Sequence, residues 1–177
     1  MCVISILEAG DMPEKDELYN SVYNNQHGWG MLVRNGDNTL SLIKEVVDET
    51  NPDNVWKALE DNKELVRYLH IRNATVGKVI ELNAQPFKFF EGHDNSDELW
   101  FMHNGTLQDY SNSRSNYSSS YGNQTYKDSD ERSDSLRFAD IVLTPYFEGL
   151  NDPMDLTDTF LSDVFLDKFW SSYSNRG

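Results

Sequence analysis

Cysteine is nearly absent: Cys2 is the only one. That excludes an internal disulfide framework and fits a reducing compartment. No apolar run reaches the roughly 18 residues that a membrane-spanning helix requires. The N-terminus also lacks the basic region and apolar stretch of a secretory signal, so a cytoplasmic location is expected. Positive charge is scarce, with 15 Lys and Arg against 30 Asp and Glu and a formal charge of −15. Such a surface repels phosphate backbones, which argues against a nucleic-acid groove and favours simple solubility. No cluster of His, Cys and carboxylates has metal-ligand spacing, so neither a metal nor another cofactor is expected. Asn-X-Ser/Thr triplets such as Asn73-Ala74-Thr75, without a secretory signal, read as chance in an Asn-rich chain. The length, 177 residues, suits one domain over 1–177 with a single sizeable core.

What the chain does contain is concentrated at its start. Cys2 directly follows the initiator methionine and opens the apolar run Val3-Ile4-Ser5-Ile6. A small second residue normally permits removal of that methionine, leaving a thiol and a free α-amine on one residue. The amine, with an ordinary pKa of roughly 7.7–8, can act as a base near neutral pH. The thiol is a strong nucleophile once deprotonated. A lone Cys near a terminus is also, more simply, a small buried hydrophobe.

Taken in order, residues 2–7 read as a central strand. Asp11 and Pro13 suggest the cap and first turn of a helix over 14–24, with Leu18, Val22 and Tyr23 on one side. Residues 29–34 and 38–43 flank Asn35-Gly36, a two-residue hairpin signal. Asn51-Pro52 opens a capped helix to Lys63, with Val55, Trp56 and Leu59 inward. Residues 65–71 read as a strand and Asn83–Phe87 as a break. A further strand, 98–102, delivers His103-Asn104-Gly105. From about 110 to 133 the composition is that of a Ser/Asn-rich loop. Residues 134–147 and 155–170 have helical periodicity, Leu136, Ala139, Ile141 and Val142 in the first, Leu156, Phe160, Val164 and Phe165 in the second.

Five separated patches occur in order: Met-Cys at the start, Asn-Gln-His-Gly-Trp-Gly at 25–30, and His-Ile-Arg-Asn-Ala-Thr-Val-Gly at 70–77 with Asn-Ala-Gln-Pro-Phe behind it. Met-His-Asn-Gly at 102–105 and Ser133-Asp134-Ser135 complete the set. The ordered set resembles the class II glutamine amidotransferases of the N-terminal-nucleophile (Ntn) hydrolase superfamily, most closely their small stand-alone branch, over residues 2 to about 140. The resemblance implies an α+β fold, a four-layer αββα sandwich with Cys2 on an inner strand. It implies hydrolysis of the glutamine side-chain amide to glutamate and ammonia. Cys2 would be the nucleophile, and Asn104 with the Gly105 N–H would form the oxyanion hole. Arg72 would grip the substrate α-carboxylate with its planar fork, helped by Thr75, and Asp134 would pair with the α-ammonium.

Each residue also has a plainer reading. Arg72 suits a surface ion pair, Asn104-Gly105 a turn, and Asp134 a helix cap shared with Ser133 or Ser135. Trp29 reads as packing beneath the site, and His27, His70 and His103 receive no catalytic role. Two departures from the family stand out. Family domains commonly continue past the acid-bearing helix with further strands, whereas about thirty residues follow Leu150 here. Either the sandwich is reduced at its C-terminal end, or a partner completes it. Gln85 also stands where the stand-alone branch often has His. No synthetase domain is attached, so ammonia would pass to a separate synthetase or ligase, or be released. The rival functions are hydrolysis of another γ-glutamyl amide, and a catalytically inactive binding or assembly protein on the same fold.

Overall fold

The computed structural model describes residues 2–47, 49–91, 98–107 and 131–148. Within them, β1 (Val3–Leu7), β2 (Trp29–Arg34), β3 (Leu40–Glu45) and β4 (Val66–Ile71) form an antiparallel sheet in the order β1-β4-β2-β3. A second sheet is the antiparallel hairpin of β5 (Phe87–Glu91) and β6 (Glu98–Phe101). Helices α1 (Lys15–Tyr23) and α2 (Pro52–Asp61) belong to the first half. After the hairpin, α3 (Asp134–Phe138) runs through a π-helical turn, Ala139–Leu143, into α4 (Thr144–Glu148). The described molecule is thus α+β with antiparallel sheets. Among the described residues, no helix is long and apolar enough to cross a membrane.

The period of two along β2 and β4 sorts their side chains between faces. Trp29, Met31, Val33, Leu69 and Ile71 meet Leu18, Val22, Val55 and Leu59 of the two helices in one core. Each fully buried aliphatic side chain there stabilises the fold by about 1.5–3 kcal/mol. Gly30 and His70, paired in register, alternate with these residues and belong to the opposite face. A second core, with Phe89, Phe138, Ala139, Leu143 and Phe147, joins the hairpin to α3 and α4. The two sheets meet at Gly30, where an added Cβ would lie 2.1 Å from the Gln85 carbonyl oxygen. Only glycine admits a neighbouring backbone that closely.

Several local expectations need correction. Among the described residues, β1 is an edge strand, not a central one: it pairs with β4 alone, and Ile6 is 64% exposed. Asp11 and Pro13 do not cap α1; Glu14 takes that position without a side-chain bond. The turn is instead tied to β4, because buried Arg67 donates to the carbonyls of Glu8 (3.0 Å) and Asp11 (2.6 Å). Tyr23 is exposed. The β2–β3 hairpin does not turn on Asn35-Gly36 alone. Asn35 N–H donates to Thr39 O at 2.8 Å, and Asn38 takes the left-handed conformation at φ 67. That is a three-residue loop, fixed by Asp37 Oδ1 accepting from Thr39 N–H at 3.0 Å. The cap of α2 is as expected: Asn51 Oδ1 accepts from Asp53 N–H at 2.9 Å, with Pro52 in the first turn. The expected loop up to residue 130 and the expected helix over 155–170 lie outside the described residues.

Candidate active site

The pairing of β1 with β4 carries on past both strands. Val3 stands opposite Ile71, so Cys2 and Arg72 emerge at the same end of the sheet. Cys2 is half-buried. Its Sγ lies 3.4 Å from Asn73 N and 3.6 Å from Asn73 O, placed to accept from the first and donate to the second. Arg72 is held on its other flank, donating its N–H to Gly28 O at 2.9 Å and accepting from His27 N–H at 3.0 Å.

The Arg72 side chain is buried. Nη1 donates to Lys78 O at 3.1 Å and Nη2 to Val76 O at 3.2 Å. A guanidinium carries five N–H donors in a fixed fork, so two carbonyls aim it without exhausting it. Burial pushes its pKa down from the usual arginine value, while Cys2 and Asp134 push it back up. The guanidinium remains charged, since arginine titrates far above neutrality.

Asp134 opens α3 and is itself buried. It does not cap the helix; Ser133 does, its Oγ accepting from Leu136 N–H at 3.2 Å. Asp134 Oδ2 instead accepts from Leu107 N–H at 2.6 Å. That bond ties the acid to the loop carrying Asn104 and Gly105. Both of those residues are exposed, and Gly105 has φ 148, a conformation that side chains other than hydrogen disfavour. Thr75 is exposed on the loop that follows Arg72. The structure therefore brings Cys2 beside Arg72 at one end of the first sheet, and ties Asp134 to the Asn104-Gly105 loop by a hydrogen bond.

His27, His70 and His103 lie around this cluster. The His103 ring stacks on Phe101 with centroids 6.2 Å apart, and its Nδ1 is 3.2 Å from Ser135 Oγ. Burial pushes its pKa down, and Asp134 opposes that shift. His70 is fully buried, and burial lowers its pKa from 6.5 to about 4. His27 holds the loop after Arg72, its Nδ1 accepting from Ala74 N–H at 2.9 Å. Trp29 packs in the helix-covered core, its Nε1 donating to Glu45 Oε2 at 2.8 Å. Among the described residues, no group of three or more His, Cys, Asp or Glu could hold a metal ion.

Two polar residues outside the expected site set sit at the junctions of the cluster. Asn83 Oδ1 accepts from Ser133 N–H at 2.6 Å, and Gln85 Oε1 accepts from His103 N–H at 2.5 Å. Their segment belongs to the third patch of the family pattern, but the pattern assigns neither residue a role in the site.

No curated protein and no solved structure matches the chain. The family model of the class II glutamine amidotransferases matches residues 20–129. That span includes Arg72, Thr75, Asn104 and Gly105, while Cys2 and Asp134 lie outside it. A match over more than half of its length means that the chain belongs to the class II glutamine amidotransferases.

Proposed function

We propose that this protein is a glutaminase-type amidotransferase in which Cys2, freed at the N-terminus by removal of Met1, hydrolyses the side-chain amide of glutamine. The Cys2 amine takes the thiol proton, and the sulfur attacks the amide carbon. Asn104, through its side-chain amide, and the Gly105 N–H stabilise the oxyanion. Collapse breaks the C–N bond, and the Cys2 ammonium returns the proton to the leaving ammonia. Water then hydrolyses the thioester, releasing glutamate and the thiol. Arg72 binds the substrate α-carboxylate, with Thr75 beside it. Asp134 Oδ1 takes the α-ammonium, Oδ2 being engaged by Leu107. The ammonia passes to a separate synthetase or ligase in the same cytoplasmic compartment.

The observation that carries this reading is that the Cys2 sulfur rests on the backbone of Asn73, beside the buried guanidinium of Arg72, whose guiding carbonyl Lys78 O is joined through the Asn83 amide to Ser133, the neighbour of Asp134. A zwitterion needs such a cation and anion pair at one end of a pocket and a nucleophile at the other. The reading takes residues 1–177 as one domain with the four-layer αββα order. It draws support from α1 and α2 packing on one face of the first sheet, the Gly30–Gln85 contact on the other, and α3–α4 packing on the hairpin. Gln85 in place of the branch's usual histidine keeps another γ-glutamyl amide in view as substrate.

Glutamate release from glutamine by wild type and by Cys2→Ala tests the proposal, run beside a small panel of γ-glutamyl amides. We expect Cys2-dependent turnover of glutamine. Turnover of the panel alone would move the assignment to another amide. Turnover of neither would leave an inactive protein on this fold.

A further inference from the structure

We infer that Asn83 and Gln85 are two separate positioning residues: Asn83 fixes the spacing of the groups that grip the amino-acid end of the substrate, and Gln85 fixes the loop that holds the oxyanion. The inference rests on the glutaminase reading and adds to it a division of labour within one short segment.

Asn83 is 0% exposed and uses both ends of its amide. Nδ2 donates to Lys78 O at 2.9 Å and to Glu131 O at 2.7 Å, and Oδ1 accepts from Ser133 N–H at 2.6 Å. Lys78 O is the same carbonyl that aims Arg72 Nη1. Ser133 immediately precedes Asp134 and caps its helix. One buried amide thus joins the carbonyl that directs the cation to the residue that presents the anion. The loops are also stitched directly, Lys78 N–H donating to Glu131 O at 3.1 Å. Two donations and one acceptance from a single short side chain require a primary amide; a carboxylate only accepts and an aliphatic group does neither.

Gln85 works in the other direction. It is 4% exposed, and its Oε1 takes the N–H of His103 at 2.5 Å. His103 is the neighbour of Asn104. The backbone of Gln85 is in turn seated against Gly30 of the first sheet. The oxyanion loop is therefore registered to the sheet whose end bears Cys2 through one acceptor atom on a rigid base. Only an acceptor is needed here, so glutamate can replace glutamine and leucine cannot.

The two roles separate kinetically. Loss of substrate grip common to ground and transition states raises KM, whereas loss of oxyanion stabilisation lowers kcat. Steady-state glutaminase kinetics with melting curves, on wild type, Asn83→Leu, Gln85→Leu and Gln85→Glu, read this out. We expect Asn83→Leu to raise KM by about tenfold with kcat within about threefold. We expect Gln85→Leu to lower kcat by about tenfold or more with KM within about threefold, and Gln85→Glu to restore kcat to within about threefold of wild type. A merely structural role would lower the melting temperatures without this split. Should a leucine variant fail to fold, Asn83→Asp or Gln85→Met, which keep the side-chain size but lose the needed donors or acceptor, carry the same expectation. Wild type without glutamine turnover overturns the reading and the inference together. Turnover with both sites moving the same constant, or neither, overturns the inference alone.

Discussion

His70 sits between the sheets with no exposure, its ring close to the His103 backbone but without a hydrogen bond of good geometry. Burial is the main reason its pKa falls to about 4; the charges of Arg72, His103 and Lys44 act in the same direction, and the His103 backbone opposes them without offsetting them. The unfolded chain, titrating near 6.5, takes up the proton first as the pH falls. The stability from a neutral His70 is therefore complete above about pH 6.5 and is lost progressively down to about pH 4, amounting to about 3 kcal/mol. Urea unfolding at pH 7 and pH 4.5 checks this: wild type should lose more stability on acidification than His70→Leu. Equal losses would show that the ring is not the titrating group. At this scale the sequence is uneven in what it discloses. Cys2 and Arg72 are legible because their neighbours in the chain form a recognisable pattern. The roles of Asn83 and Gln85 are not, although their segment belongs to that pattern, because their partners Ser133 and His103 lie 50 and 18 residues away.

Elements were more legible than their ends. β2, β4 and α2 follow from periodicity and, for α2, from Asn51-Pro52. α1 starts later than the Asp11 signal suggests because the Asp11 carbonyl is tied to Arg67 and the backbone is still extended at Glu14. The β2–β3 turn was misread because Asn38, not Gly36, adopts the left-handed conformation. The edge position of β1 could not be read, since an apolar run does not say how many neighbours it has. Gly30 tests the packing of elements. An added methyl would lie 2.1 Å from Gln85 O, whereas at Gly36 it would meet nothing within 4 Å. Gly30→Ala should destabilise by roughly 1–3 kcal/mol, and Gly36→Ala should stay within about 0.5 kcal/mol. Denaturant midpoints measure both; equal effects would contradict the sheet-to-sheet contact.

For the whole molecule, composition set the boundaries: an acidic, cysteine-poor chain with no spanning segment. It could not show that the first sheet and the segment leading into the hairpin would come together at Gly30. The proposed site lies where those two halves meet. Strand ends supply Cys2 and Arg72, and the segment after the hairpin supplies Asn104, Gly105 and Asp134. Neither half holds all of them, so this assembly became readable only with the fold. The claim beneath the account is that the Cys2 sulfur reacts with an amide held by that cluster. Peptide mapping after exposure to a glutamine analogue bearing a chloromethyl ketone in place of the amide tests it most directly, since a reactive thiolate displaces the chloride and stays attached. The account predicts a single adduct, on Cys2 of chains lacking Met1, suppressed by excess glutamine. An unmodified Cys2, or labelling that glutamine does not suppress, would contradict it.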